Sequence, residues 1–181
     1  MAEHTTATET HHQVMVQIPL HLATQLVFRM EVAQPLVSPP PMAGMTFTLI
    51  DKPQLAFRHW PLLCEVHGLT GAVKSVLKMT RRRAFYCVTS EAGVLHSGWV
   101  TTSYCRHYRV ERGDIVIGSV ATSHKAQAKG IGTFATRMVI NLMMARGHRV
   151  FFIDTSLNNA ACRKMIDNCG FGAPVATYLR D

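Results

Sequence analysis

QAKGIG at residues 127–132 joins a predicted strand to a long predicted helix. Backbone N–H groups in the first turn of a helix lack a partner within the helix and carry partial positive charge. Glycines at 130 and 132 let an anion approach the backbone because no Cβ stands in the way, and Lys129 adds positive charge. The stretch therefore predicts an anion-binding loop, with a pyrophosphate as its natural guest.

This loop differs from two other glycine-rich phosphate loops. A dinucleotide fingerprint would have its third glycine where this chain has Ala135, and a Walker loop would continue as Gly-Lys-Ser/Thr, which is absent here. Taken alone, the two glycines fit a closely packed turn better than a binding site. The elements around the loop are needed to decide between these interpretations.

The chain around the loop alternates between strand and helix patterns. The predicted elements are a strand at 46–50, a helix at 59–79 broken near Gly68 and Gly71, strands at 84–89, 94–104 and 115–122, a helix from Ile131 to Gly147, a buried strand at 150–153, a helix from Asn158 or Asn159 to Gly170, and a strand at 171–179. The short connections between residues 84 and 122 indicate an antiparallel meander. The order predicts an α/β (α+β) fold with a mixed sheet and helices on its faces.

The first 44 residues have a different character from the rest of the chain. Residues 1–13 are polar and offer little to bury, and residues 14–37 show no clean period. Prolines at 39–41 then favour a connector, because proline cannot donate a backbone hydrogen bond. We expect an N-terminal tail and extension at 1–44, partly disordered, and one domain at 45–181.

The charge balance favours an anionic partner. The formal net charge is +8, but the basic residues are spread out apart from Arg81-Arg82-Arg83, and no nucleic-acid recognition motif is present. We interpret this triplet as a solvated element boundary and expect no nucleic-acid partner. A phosphorylated cofactor accounts for the charge equally well.

Cysteine usage and hydropathy indicate a cytoplasmic protein. The cysteines number five and include no C-x-x-C pair, so reduced thiols fit better than a disulfide framework. Cys162 and Cys169 are a lone pair of thiols with no histidine near them in sequence, and we expect no metal site. Neither a secretory signal pattern nor an apolar run of 18 residues occurs, so we expect no membrane partner.

Two linked motifs resemble the GNAT superfamily of acyl-CoA-dependent N-acyltransferases. The loop matches that family's Q/R-x-x-G-x-G motif between a strand and a helix. Asn159-Ala160-Ala161-Cys162, followed by MIDNCGF at residues 165–171, resembles its N-x-A-S-…-G-F segment. The spacing leaves room for one helix and one strand, as the family requires. The resemblance is clear over residues 84–171, vague over 45–83 and absent over 1–44.

The resemblance implies a fold and a cofactor site. In GNAT folds a mostly antiparallel sheet contains a splayed central pair of parallel strands, and the pantetheine arm of acetyl-CoA or another acyl-CoA lies in the gap. The residues implied to bind this co-substrate are Val120, Ala121 and Thr122 on the strand, Gln127, Ala128, Lys129, Gly130, Ile131, Gly132 and Thr133 at the loop, and Asn159 beside the pantetheine arm. The acceptor amine would enter from the opposite side.

One position departs from the commonest family pattern. Ile166 occupies the slot where many members have a tyrosine that protonates the leaving thiolate. A subset with an aliphatic residue in this slot includes ribosomal-protein N-terminal acetyltransferases and transferases of bacterial surface-sugar biosynthesis, and this chain resembles that subset. A thiol with a pKa of about 8.5 leaves tolerably without an acid.

A general base must take the proton of the amine, and the sequence leaves several options. Asp114 is the first candidate, Glu111 the second and His124 the third, while water could also carry the proton. Asp114 is otherwise explained as a turn residue, and His124 as a loop residue. The aromatic residues Trp99, Tyr104 and Tyr108 fit core or cross-strand packing better than an acceptor pocket.

These features favour an enzyme that moves an acetyl or other short acyl group to a primary amine. The first expected acceptor is a small molecule such as a nucleotide-linked amino sugar. The alternatives are a protein N-terminal or lysine acetyltransferase and a GNAT-like acyl-CoA sensor without turnover. A homodimer contact is one role open to residues 1–44.

Overall fold

The computed structural model describes residues 24–37, 40, 43–79 and 83–180. The predicted tail at 1–13 lies outside these residues, as do Arg81 and Arg82 of the basic triplet and most of the proline-rich connector.

Seven strands and four α-helices form the described part of the chain. They are β1 (Thr24–Glu31), β2 (Thr46–Ile50), α1 (Pro53–Arg58), α2 (Trp60–Lys78), β3 (Arg83–Ser90), β4 (Gly93–Thr102), β5 (Ile115–Thr122), α3 (Ile131–Ala145), β6 (Val150–Ser156), α4 (Ala160–Asn168) and β7 (Ala176–Leu179), with a 3-10 turn at His124–Ala126. The predicted break in the helix at 59–79 is confirmed at Gly68, where φ is 67° within α2.

All seven strands belong to one sheet in the order β2-β3-β4-β5-β6-β1-β7. Every neighbouring pair is antiparallel except β5 and β6, which run parallel. The predicted fold class, a mostly antiparallel mixed sheet with helices on both faces, is confirmed.

The strand β1 was not predicted from the sequence. It lies inside the segment 1–44 and pairs with β6 on one side and β7 on the other. Leu26, Phe28 and Met30 pack on one face of the sheet and Val27 on the other. Because both faces are covered, the strand lacks the polar–apolar alternation by which a half-exposed strand is recognised.

The two faces of the sheet are covered differently. One face of the sheet, which we call the helix face, carries α3 and α4. They cover the main core, which includes Ile117, Phe134, Ile153 and Ile166. On the opposite face, α1 and α2 cover β2 to β4, and the connection between β4 and β5 covers the strands near Phe152. The connection contributes Cys105, Tyr108 and Val110 to this second cover.

The parallel strands β5 and β6 separate after three residue pairs. Ile115 to Ile117 pair with Phe151 to Ile153, and no further pairs follow although both strands continue. The pairing of β4 with β5 shifts register just beyond this point, and Ser119 has a φ of 50°. A bulge of this kind bends the strand that carries it. The predicted splayed parallel pair is therefore confirmed, and we call the opening between β5 and β6 the fork.

Candidate active site

A groove of about 490 Å³ lies on the helix face between β5, the loop and α4. Its lining residues are Val120, Thr122, Ala126, Gln127, Ala128, Gly130, Ile131, Gly132, Thr133, Asn159, Ala161, Cys162, Lys164, Met165 and Asn168. All the residues predicted to bind acyl-CoA line it except Ala121 and Lys129. Ala121 lies between two lining residues of one strand, so its side chain falls on the other face.

The loop presents free backbone N–H groups to this groove. Gly130 is the N-cap of α3 with a φ of 74°, a left-handed conformation that glycine adopts without strain. Phe134 makes the first helical hydrogen bond, with its N–H donating to the Gly130 carbonyl at 2.9 Å. The N–H groups of residues 131–133 therefore have no helical acceptor, and the first turn holds no acidic residue. This end of the groove can hold an anion.

Gly132 is required by packing as well as by access to the backbone. A Cβ atom at this position would lie 3.0 Å from the Met165 sulfur and 3.6 Å from the His96 ring. From the sequence we expected this glycine only to let a phosphate approach the backbone. The structure shows that it also allows α3 and α4 to cross closely beside the groove.

Two polar side chains fix the walls of the groove. Asn159 is the N-cap of α4, and its side-chain oxygen accepts a hydrogen bond from the Cys162 N–H at 3.0 Å. The Gln127 amide donates to the Thr122 carbonyl at 3.5 Å, which ties the loop to the end of β5. The predicted helix cap at Asn158 or Asn159 is thus resolved in favour of Asn159.

A buried histidine, His96, contacts a residue in the wall of the groove. His96 is 1% exposed, and its Nδ1 lies 2.8 Å from the Thr122 hydroxyl. Burial lowers the pKa of His96 to about 4, so the ring is neutral near pH 7. Its Nε2 has no hydrogen-bond partner among the described residues. Sequence reasoning missed this residue because a lone histidine in a strand carries no motif.

The three sequence candidates for the general base are not brought together at the fork. The Asp114 carboxylate accepts the Glu111 N–H at 2.8 Å and closes the turn before β5. The Glu111 side chain is exposed and pairs with Arg109 at 3.4 Å. Six residues of strand, roughly 15–20 Å, separate Asp114 from Val120 in the groove. His124 is exposed in the 3-10 turn beyond the end of β5.

A carboxylate lies at the fork on the opposite face. Asp154 follows Ile153, the last β6 residue paired with β5, and accepts a hydrogen bond from the Tyr178 hydroxyl at 3.0 Å. Burial raises the pKa of Asp154, although the Tyr178 hydrogen bond and the charges of His107 and Arg180 act against this shift. Sequence reasoning missed this cluster because it joins residues from separate elements.

The aromatic side chains singled out in the sequence have distinct surroundings. Trp99 packs edge-on against Phe85 at 5.3 Å in the cluster beneath α2, whereas Tyr104 is 47% exposed. Tyr108 lies at 5.9 Å from Phe152 and 6.0 Å from Tyr178, beside the carboxylate on the opposite face. Packing therefore accounts for Trp99, while Tyr108 borders a polar site.

The sequence profile of the Acetyltransferase (GNAT) family matches residues 56–171, which is more than half of the chain. The chain belongs to the GNAT acetyltransferase family. Among proteins of curated function, none matches it in sequence.

Solved GNAT structures share the fold at low sequence identity. A GCN5-related N-acetyltransferase from Kribbella flavida is 12% identical with a TM-score of 0.55, and the alignment covers 86% of this chain and 56% of that one. A GNAT-family protein described as a putative acetyltransferase, from Novosphingobium aromaticivorans, is 18% identical with a TM-score of 0.53, covering 85% and 61%. The aminoglycoside N-acetyltransferase AAC(6')-Iy in complex with CoA is 14% identical with a TM-score of 0.60, covering 81% and 98%. The chain thus spans 56% and 61% of the lengths of the first two structures.

The slot held by tyrosine in many GNAT proteins is closed to the groove here. Ile166 is 1% exposed and belongs to the main core. Its neighbour Met165 lines the groove instead, together with Cys162 one turn earlier on α4. Burial raises the pKa of the Cys162 thiol, so this group is neutral near pH 7.

Two further features concern metals and membranes. Among residues 24–37, 40, 43–79 and 83–180, no three His, Cys, Asp or Glu side chains converge to hold a metal ion. In the same described ranges, no helix has the length and apolar character needed to cross a membrane.

Proposed function

We propose that this GNAT protein transfers an acetyl or other short acyl group from acyl-CoA to a primary amine of a small molecule. The observation that carries the proposal is the fork. It opens beside a groove that ends at a helix N-terminus free of acidic residues. Acyl-CoA is a long, narrow thioester with an anionic end, so it needs both the fork and the helix N-terminus.

The groove matches the chemistry of CoA along its length. The pyrophosphate would accept hydrogen bonds from the N–H groups of residues 131–133, where the helix dipole favours negative charge. Beyond Ile117, the backbone of β5 has no pairing with β6, so its N–H and C=O groups can bond the pantetheine amides. The predicted contact of Asn159 with this arm is compatible with its place in the groove wall. The thioester would then lie in the fork.

The acceptor is proposed from charge and from similar proteins. The net charge of +8 favours an acceptor with its own phosphates, and a nucleotide-linked amino sugar has them beside a primary amine. The structurally similar AAC(6')-Iy is named as an aminoglycoside N-acetyltransferase. An aminoglycoside is also a sugar-sized amine, but it is positively charged, whereas a nucleotide-linked amino sugar is negatively charged. Nucleotide-linked amino sugars and aminoglycosides both carry a primary amine on a sugar, and this class is the proposed acceptor.

An acceptor panel tests the proposal directly. Acetyl-CoA is supplied with amino-sugar nucleotides, aminoglycosides, polyamines and N-terminal peptides, and thiol release is measured for each. We expect an amino sugar to give the highest kcat/KM. Peptides as the best acceptors would assign the protein to N-terminal or lysine acetylation. Thiol release that no amine accelerates, with CoA binding intact, would indicate an acyl-CoA sensor instead.

A further inference from the structure

We propose that Asp154 binds the ammonium form of the acceptor and removes its proton, beside Tyr108 and Tyr178. These residues lie on the face of the sheet opposite the groove. The inference rests on the proposed acyl transfer and specifies the acceptor as an amine that arrives protonated. We call these three residues the acceptor cluster.

The position of Asp154 follows from the strand register. Ile117 and Ile153 form the last pair of the parallel strands, so Asp154 is the first β6 residue inside the fork. Ile153 belongs to the helix-face core and Phe152 to the opposite face. Alternation therefore directs Asp154 to the opposite face, where it meets Tyr178. An acyl group lying in the fork would be open to attack from this side.

The acceptor cluster offers what a primary ammonium binds. An ammonium donates three hydrogen bonds and is attracted to aromatic faces. Asp154 supplies carboxylate oxygens, one of which already accepts from Tyr178 at 3.0 Å. The buried Tyr108 hydroxyl has no hydrogen-bond partner of normal geometry among the described residues, but its interaction with Asp154 lowers the pKa of that carboxyl. Because buried polar groups are normally paired, this oxygen is the second group that the bound ammonium would meet.

The electrostatic setting suits a proton acceptor. Burial raises the pKa of Asp154 and brings it closer to that of an amine, which improves proton transfer. The hydrogen bond from Tyr178 limits this rise. The titratable and charged groups that interact with Asp154 are Tyr108 and His107 on the connection after β4, Tyr178 on β7, Arg180 after it, and Cys162 on α4. Cys105 interacts in turn with Tyr108 and Tyr178.

The reaction at this site balances in protons and bonds. The ammonium gives one proton to Asp154, and the free amine attacks the carbonyl carbon of the thioester. The C–N bond forms and the C–S bond breaks. A second proton leaves the nitrogen, the departing thiolate takes up one proton, and Asp154 returns its own to solvent. The products are the amide, the free CoA thiol and one proton.

The acceptor cluster also constrains the rest of the acceptor. The Asp154 carboxylate repels phosphate, so the amine must reach Asp154 with any phosphate held away from it. His107 stacks on Tyr178 with ring centroids 4.9 Å apart and is exposed, which places a flat aromatic surface beside the acceptor cluster. Sugar rings bind such surfaces through their apolar faces.

The decisive comparison uses Asp154→Asn, which keeps the shape of the side chain and removes its charge. Glu91→Gln at the exposed turn between β3 and β4 removes the same charge outside both the acceptor cluster and the groove lining, and it serves as the control. With the best amine of the panel, we expect Asp154→Asn to lower kcat/KM by at least about 100-fold. CoA affinity should stay at the wild-type value, and Glu91→Gln should match the wild type in both measurements.

The outcomes separate this inference from the proposed function. Unchanged turnover in Asp154→Asn would overturn the role of Asp154 and leave acyl transfer intact. Loss of CoA affinity together with turnover would assign Asp154 a structural role and also overturn the inference. A wild type that acylates no amine would overturn the proposed function, and this inference with it.

A second variant keeps the inference testable if Asp154→Asn does not fold. The Tyr178 hydroxyl lowers the pKa of Asp154, so Tyr178→Phe should raise that pKa. The acidic limb of the pH–rate profile should then move to higher pH while the alkaline limb stays in place. If Tyr178 has only a structural role, Tyr178→Phe would lower the rate without moving the acidic limb. An acidic limb that stays in place would overturn the inference.

Discussion

The imidazole of His96 lies 2.8 Å, through Nδ1, from the hydroxyl of Thr122, across the paired strands β4 and β5. This contact links a buried core residue to the wall of the groove. Thr122→Val should therefore leave Nδ1 without a partner and lower the free energy of unfolding by about 1–3 kcal/mol. Urea unfolding measures the loss. Thr122→Ser keeps the hydroxyl and should lose much less, whereas equal losses in both variants would show that the contact contributes nothing.

The buried His96 should also make stability depend on pH. Its pKa is about 4 in the folded protein and about 6.5 when unfolded, so between these values the unfolded state binds more protons. The contribution of His96 is complete above pH 6.5 and is lost as the pH falls towards 4.

The comparison of wild type with His96→Gln isolates this effect, because the raised pKa of Asp154 is common to both. We expect the difference in unfolding free energy between the two proteins to shrink from pH 7.5 to pH 5. A constant difference over this range would contradict the assigned pKa.

Packing at Gly132 predicts a coupling between the two helices beside the groove. Gly132→Ala places a Cβ atom about 3.0 Å from the Met165 sulfur, so the flexible thioether must move. We expect a loss of about 1 kcal/mol in unfolding free energy. In Met165→Ala the space is already open, and the same glycine substitution should then cost less. A double-mutant cycle by urea unfolding measures this coupling, and strictly additive losses would contradict it.

Asp114→Asn separates a structural from a catalytic role for the first sequence candidate. The carboxylate accepts the Glu111 N–H within a turn, so the substitution should weaken that bond and lower the unfolding free energy by about 1 kcal/mol. The pH–rate profile should keep its wild-type shape. A rate loss concentrated below neutral pH would instead restore Asp114 as the general base.

The sequence predicted most of the elements after residue 84 because their signals are local, but the last strand begins at Ala176 and not at Phe171 as predicted. The loop, Asn159 and Gly170 are caps or turns, and each acts on residues close to it in the chain. The strand β1 was missed because burial on both faces removes the alternation of polar and apolar residues. The acceptor cluster could not be predicted at all, since Tyr108, Asp154 and Tyr178 become neighbours only through the strand order.

We propose that the loop holds the pyrophosphate of acyl-CoA, and calorimetric titration with CoA measures this binding. Gly130→Asp and Gly130→Asn share one shape and one strained φ, open space surrounds the added Cβ, and both residues tolerate this conformation. Only the aspartate places a negative charge at the helix N-terminus. We predict that CoA binds the wild type, that the asparagine variant retains most of this affinity, and that the aspartate variant loses at least about ten-fold more. Equal CoA affinity in the aspartate and asparagine variants, or no CoA binding by the wild type, would show that the loop does not hold the pyrophosphate.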